Sequence, residues 1–307
     1  MPTFHLDASR RHLAWDHALP PALVVAPGDE VEVATVDASG GQLSRTDGAE
    51  AVARLDFAAV NPCTGPIVVE GARVGDDLIV ELLEVATGDW AWTANIPGFG
   101  LLADDFPDAA LWISEVRGAR VVTPIGVEIP LRAMVGTIGV AKAEPGPTPL
   151  LVPTLAGGNM DVAQLGAGAT LRLPIQVPGA MLSLGDLHAV QGDGEVCGTA
   201  AETPGAVRLR VSTAPSDGAS PRFSHAAVPL ATEWVATTGI GPDLFAAARE
   251  ATRRAVELLS SRTRIDPVDA YLLSSLVGEL RVSEIVDAPN WVVSMHLPAW
   301  LLGATSP

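Results

Sequence analysis

The sequence predicts a mainly β protein: a β-sandwich-like fold with Gly/Pro-rich turns and a small C-terminal α+β portion of two helices and a closing strand. Three observations predict it. First, 30 Gly and 25 Pro are spread along the chain. Through residues 20–240 they recur at roughly 8–15-residue intervals, with short Val/Leu/Ile alternations between them, as in antiparallel sheets with many turns. Second, one local frame recurs. Pro27-Gly28-Asp29-Glu30-Val31-Glu32-Val33 is a turn followed by apolar/polar alternation. Gly75-Asp76-Asp77-Leu78-Ile79-Val80 and Gly168-Ala169-Thr170-Leu171-Arg172-Leu173 open in the same way. Glycine supplies a positive φ, a short polar residue bonds its own backbone in the turn, and the strand then alternates its faces. Third, the apolar spacing changes after about residue 240 from period two to helical spacing.

The elements follow in order. In each β frame the first apolar residue (Val31, Leu78, Leu171) is expected to face the core. Residues 213–222 read as a loop. Asp243 is the expected N-cap of a helix whose Leu244, Ala248, Ala251, Ala255 and Leu258/Leu259 share one face. Asp266-Pro267 is an N-cap with proline at the first helical position. Leu272, Leu273 and Leu276 are expected to form the buried face of this second helix, Gly278 to end it, and Leu280 to Val286 to return as a strand. No linker-like composition shift divides the chain, so residues 1–307 are expected to form a single domain, β-rich over 1–240, with the helical pair and strand in 241–307.

Composition excludes several classes. A chain of 307 residues buries roughly three quarters of its unfolded surface and needs no staples. A formal charge of −17 argues against nucleic acid and anionic membrane as partners. No run of about 18 apolar residues appears, and the N-terminus lacks an apolar secretory core, so a cytoplasmic protein is expected. Cys63 and Cys197 lie too far apart in sequence to suggest a disulfide framework and read as small buried hydrophobes. The one lysine, Lys142, has a Pro/Gly-rich flank that reads as a loop, although lysine-dependent amidase machinery would need it. Neither a Gly-x-Ser-x-Gly elbow nor a phosphate or dinucleotide loop is present.

Chemistry concentrates between Gly157 and Glu202. On the turn–strand frame, Asp186 of Gly185-Asp186-Leu187-His188 falls on the turn position, and His188 on the position of Val31, Leu78 and Leu171. Parity from Val31 also turns Asp37 inward. A buried imidazole and a buried carboxylate need partners, and Asp161, Asp193 and Glu195 stand beside Gly-rich turns. Two readings stay open. One is a metal site, in which neutral imidazole and carboxylates hold a divalent ion such as zinc. The other is a core histidine on a backbone partner, with the acids as turn residues. Asp186 and Asp193, flanked by glycine, fit the turn role better than Asp37 does. His5, His12, His17, His225 and His296 read as solvated or structural.

These residues, taken with several other segments, resemble the acetamidase/formamidase family. The matching pieces run nearly end to end: Val25 to Val31, Asp37 to Gln42, Asn61-Pro62-Cys63-Thr64-Gly65-Pro66, Gly136 to Val140, Gly157-Gly158-Asn159-Met160-Asp161, Ala270 to Leu273 and Val286-Asp287. The densest stretch is Gly185-Asp186-Leu187-His188-Ala189 with Gln191-Gly192-Asp193-Gly194-Glu195 and Glu202. The resemblance implies a homo-oligomeric β-sandwich-like amidase with a divalent metal, zinc, that hydrolyses a small-molecule amide such as formamide or acetamide. It places Asp37, His188 and Glu195 on the metal, Asp161 or Glu202 at proton transfer, and Asn159 as a donor to the substrate carbonyl. Its rivals are hydrolysis of a cyclic amide on the same fold and a non-catalytic member. One departure is Val140-Ala141-Lys142-Ala143-Glu144-Pro145, where many members continue Gly-x-Ala-Pro, and this bears on the acyl preference.

Overall fold

The computed structural model describes residues 3–227 and 232–303. Two sheets face each other, as the alternation predicts. Among the described residues, the first runs Thr3–Leu6, Glu30–Thr35, Gly205–Pro215, Asp76–Thr87, Thr170–Pro174, Arg222–Ala227, Thr232–Gly241, Trp291–Pro298 and Glu279–Glu284. The second contains Trp90–Asn95, Glu202–Thr203, Leu182–His188, Met134–Val140 and Gly157–Asn159 as consecutive neighbours, and Cys63–Val69 also pairs with Leu182–His188. One core fills the space between them. Val31, Val33, Leu78, Val80 and Leu171 come from the first sheet; Ile67, Ile138, Leu182, Leu184 and Leu187 come from the second. Val31, Leu78 and Leu171 are fully buried, so the frame assigns their faces correctly.

The C-terminal portion holds two helices, followed by two strands rather than one and a short 3-10 turn. Asp243 caps the helix Leu244–Thr263, its side chain accepting from the Ala246 N–H at 2.6 Å. Ala247, Ala251, Ala255 and Leu259 of that helix pack on Val293, Met295 and Leu297. The second helix, Pro267–Val277, turns differently from expectation. Its buried residues are Ala270 and Ser274, whereas Leu272 and Leu276 are 58 % and 79 % exposed. Apolar residues occur all round it, so periodicity could not single out one face. The small residues mark the side that approaches its neighbours closely. Among the described residues, no helix is long and apolar enough to cross a membrane.

Candidate active site

The site begins with a change of face shared by two neighbouring strands. Met134–Val140 and Leu182–His188 pair antiparallel, with Thr137 opposite Gly185, Val135 opposite Leu187 and Met134 opposite His188. In one half of this ladder the even-numbered Ile138, Val140, Leu182 and Leu184 lie in the core; in the other half it is the odd-numbered Val135 and Leu187. Strict alternation cannot do this. The switch falls at Asp186, whose φ is +56°, beside Gly136. Leu187 therefore takes the core position expected for His188. His188 is only 1 % exposed, but its ring faces acids rather than aliphatics.

Asp186 lies on the same strand as His188, and chain connectivity brings the other acids from four places. Glu202 stands opposite His188 in the next ladder. Asp161 follows the short strand Gly157–Asn159, Glu195 lies in the tight Gly192–Gly198 turn, and Asp287 follows the strand Glu279–Glu284. Nε2 of His188 lies 3.1 Å from Glu202 Oε2, 3.2 Å from Asp186 Oδ1 and 3.9 Å from Asp161 Oδ1. Three interlocking groups result: Asp161, Asp186 and His188; His188, Glu195 and Glu202; Asp161, Glu195 and Asp287. Within each group one ligand atom per residue lies within 4.8 Å of the others. Asn61, Asp161, Asp186 and Glu195 all adopt the left-handed conformation, with φ between +44° and +56°. Such strain persists only where the surroundings enforce it, and it gathers at functional sites.

Polar neighbours orient the set. Gln191 donates its amide N–H to the Asp161 carbonyl at 2.6 Å, which leaves Gln191 Oε1, 2.7 Å from His188 Nδ1, as an acceptor. Nδ1 therefore carries the proton, and Nε2 faces the acids. Thr137 donates its hydroxyl to Asn159 Oδ1, Asn61 Nδ2 donates to the same oxygen, and Asn159 Nδ2 donates to Asp287.

The electrostatics are those of a site with more negative than positive groups. The one cationic group within ion-pair distance of Asp161, Asp186 or Glu202 among the described residues is His188. Burial, with repulsion from Asp186 and Asp287, holds the Asp161 carboxyl well above the usual range. Burial and the Asp161 charge do the same to Glu195, and burial with the charges of Glu284 and Glu195 does so to Asp287. Glu202 is pushed up to about 7, chiefly by burial. Burial opposes the charged form of both His188 and Asp186, but their mutual attraction outweighs it, together with that of Glu202 for the imidazole. Both oxygens of Asp161 and Oε2 of Glu202 are buried without a hydrogen-bond donor. An uncompensated buried charge costs on the order of 3–5 kcal/mol. Either protons or a cation must join these groups. Hard carboxylate oxygens with one imidazole nitrogen, its other nitrogen held by Gln191, form a donor set that fits a divalent ion.

Of the residues singled out from sequence, the fold brings His188, Glu195, Asp161 and Glu202 together and places Asn159 beside them. It does not bring Asp37. That carboxylate is 4 % exposed, as parity requires, but the strand ends at Thr35 and Asp37 opens a turn. Its Oδ1 accepts from the Ser39 N–H at 2.9 Å, from the Ser39 hydroxyl and from Trp92 Nε1 at 3.0 Å. Strand parity specifies burial, and the local turn then captures the carboxylate. Asp193 pairs at the surface with Arg281. Cys63 is fully buried, and Cys197 Sγ lies 3.1 Å from the Thr199 carbonyl. Sequence reasoning missed Asp186 as a site residue because a glycine-flanked aspartate looks like a turn. It missed Asn61, Gln191 and Asp287 although all three lie in the segments that carry the resemblance.

Above the acids lies a cavity of about 60 Å³. Its floor includes Asn61, Asn159, Asp161, Glu195 and Glu202, and its walls include Leu55, Phe57, Trp92, Ile96, Phe99 and Leu151.

Comparison with known proteins gives the family of the chain. The acetamidase/formamidase family pattern matches residues 3–148 and 149–302. A formamidase of Methylophilus methylotrophus is 29 % identical over 94 % of this chain and 88 % of its own length. An acetamidase of Mycolicibacterium smegmatis is 29 % identical, with 76 % and 74 % covered. The crystal structure of an acetamidase from Bacillus halodurans superposes with a TM-score of 0.91 at 32 % identity, covering 98 % of this chain and 100 % of that one. A gamma lactamase from Delftia acidovorans superposes with a TM-score of 0.69 at 26 % identity, covering 97 % and 91 %. The chain therefore belongs to the acetamidase/formamidase family of amidohydrolases.

Proposed function

We propose that the protein hydrolyses short linear amides, formamide and acetamide in the first place, to a carboxylate and ammonia with the help of a divalent metal ion, zinc. One observation carries the reading: His188 Nε2, Glu202 Oε2 and both oxygens of Asp161 converge, without hydrogen-bond donors of their own for the acids, at the foot of a small cavity.

His188, Asp161, Asp186 and Glu195 would hold the ion. When bound, it supplies Lewis acidity, polarising the amide carbonyl and making water nucleophilic near neutral pH. Gln191 keeps the imidazole in the tautomer that presents a lone pair. Asn159 spends one amide N–H on Asp287 and keeps the other for the substrate carbonyl. Glu202, whose Oε2 lies 3.1 Å from His188 Nε2 and which lines the cavity, would take a proton from the attacking water and deliver it to the leaving nitrogen.

Size favours a linear substrate. A cavity of about 60 Å³, at about 10–15 Å³ per water position, admits on the order of four or five heavy atoms. Acetamide has that size and a five-membered lactam exceeds it. The likeness to a gamma lactamase supports a cyclic amide as the second reading.

The test is metal analysis of the purified protein with an ammonia-release assay on formamide and acetamide and a ring-opening assay on 2-pyrrolidinone. The proposal expects a stoichiometric ion, turnover of the linear amides, loss of turnover on chelation and recovery on adding metal back. Full turnover after complete chelation refutes the metal role. Faster opening of the lactam than of either linear amide moves the assignment to the second reading.

A further inference from the structure

The acids and asparagines at the cavity floor can only engage the amide group, so the acyl carbon chain of a substrate must run toward the apolar walls. Those walls are not equally firm. Phe57 is 48 % exposed and stands on a surface loop. Phe99 is seated differently. Its backbone N–H closes a turn on the Ile96 carbonyl at 2.9 Å, and the next residues are tied to the segment that follows Glu195. Leu101 N–H donates to the Val196 carbonyl at 2.9 Å. Two glycines make the approach possible. A Cβ at Gly100 would stand 2.7 Å from the Cys197 carbonyl oxygen, and one at Gly198 would stand 2.4 Å from Phe99 Cδ1 and 2.5 Å from Cε1. The Phe99 ring therefore lies directly on the Cα of Gly198, between Glu195 and Thr199, and all four of these residues line or border the cavity.

From this geometry we infer that Phe99, braced on Gly198, sets the limit on acyl-chain length. The inference rests on the amide-hydrolase reading above and narrows its substrate class to amides whose carbon chain ends before this ring. On the side where the ring rests on Gly198 there is backbone behind it, so the ring cannot retreat in that direction without moving the chain. Each additional methylene then meets the ring. A misfit of one methylene in such a pocket changes kcat/KM by about 10–200-fold.

The experiment uses the full chain, loaded with metal, and a series from formamide through acetamide and propionamide to butyramide. The wild-type protein is expected to lose efficiency steeply beyond acetamide. In Phe99→Ala the ratio of kcat/KM for butyramide to that for formamide should rise at least tenfold, with the gain carried by the KM for butyramide. Phe99→Leu should move the ratio part of the way. If Phe99→Ala does not fold, Phe99→Leu carries the comparison. A ratio that stays within twofold of wild type in a folded variant, while the wild type turns over formamide, overturns the inference and leaves the amidase reading standing. If the wild type releases ammonia from no member of the series, the amidase reading fails and the inference goes with it.

Discussion

Gln191 decides which nitrogen of His188 meets the acids. Its Oε1 lies 2.7 Å from Nδ1, and its own N–H is committed to the Asp161 carbonyl, so the amide cannot flip without breaking both contacts. One neutral side chain thus fixes the ring's tautomer and links it to the backbone of a second site residue. Replacing it with Leu should lower metal affinity by about 10–100-fold, in line with other histidine-supporting groups. Competition with a chelator of known affinity measures this. An unchanged affinity in Gln191→Leu would show that the ring is held by the acids alone.

His188→Ala removes the one nitrogen donor in the cluster. The variant should lose retained metal and ammonia release together while its far-ultraviolet circular dichroism stays that of the wild type, because His188 is not part of the apolar core. Full turnover by this variant would refute the site assignment.

Gly136 stands where both carboxylates need room. A Cβ there would be 2.4 Å from Asp161 Oδ1 and 2.7 Å from Asp186 Oδ2. Gly136→Ala should destabilise the fold by about 1–3 kcal/mol, as overpacking does, and cut activity further by displacing the two acids. Urea denaturation and metal content check the two effects separately. A wild-type denaturation midpoint would mean that the acids have space to retreat.

Asp37 and Glu195 offer a contrast between two buried acids. Asp37 caps its own turn and anchors Trp92, whereas Glu195 reaches the His188 cluster. Asp37→Asn should keep full metal content, since an amide oxygen can still accept from Ser39 and Trp92. Glu195→Gln should bind metal more weakly. Elemental analysis of the two variants side by side decides, and metal loss in Asp37→Asn would restore that residue to the ligand set.

Without the proposed ion, stability should depend on pH in a definite direction. Burial raises Glu202 to about 7 and holds Asp161, Glu195 and Asp287 well above the usual carboxylate range. The folded chain then binds more protons than the unfolded chain over this interval, so stability falls as pH rises. His188, held above its ordinary value in spite of burial by Glu202 and Asp186, acts with the same sign. Asp186, whose value is lowered, acts the other way at acidic pH, and His12, His225 and His296, lowered chiefly by burial, act the other way on the acidic side of the interval, where the five raised groups outnumber them. The melting midpoint of chelated protein should therefore drop between pH 5 and pH 8, and bound metal should abolish the drop. A chelated protein that melts higher at pH 8 than at pH 5 would contradict the charge balance described here.

Much of this architecture is legible in the chain because its causes are local. Turn glycines and period-two alternation locate Val31, Leu78 and Leu171 in the core. Asp243 and the Asp266-Pro267 pair mark helix starts because capping involves only neighbouring residues. The densest motif stretch contains His188, Gln191, Glu195 and Glu202, and all four belong to the site. Parity fell short at two places, for two reasons. At Asp186 a left-handed residue reversed the faces of a strand, which alternation cannot anticipate. At Asp37 parity was right about burial and silent about the turn that captures the carboxylate.

The amino-acid sequence by itself determined the strand periods and the helix caps, since each depends on residues a few positions apart. Only the tertiary structure decided which way His188 faces and which acids it meets. Asp161, Asp186, Glu195, Glu202 and Asp287 reach one another through strand pairing, tight turns and left-handed backbone positions. The free energy that holds them there comes from the packing of two whole sheets, not from the segments in which they lie.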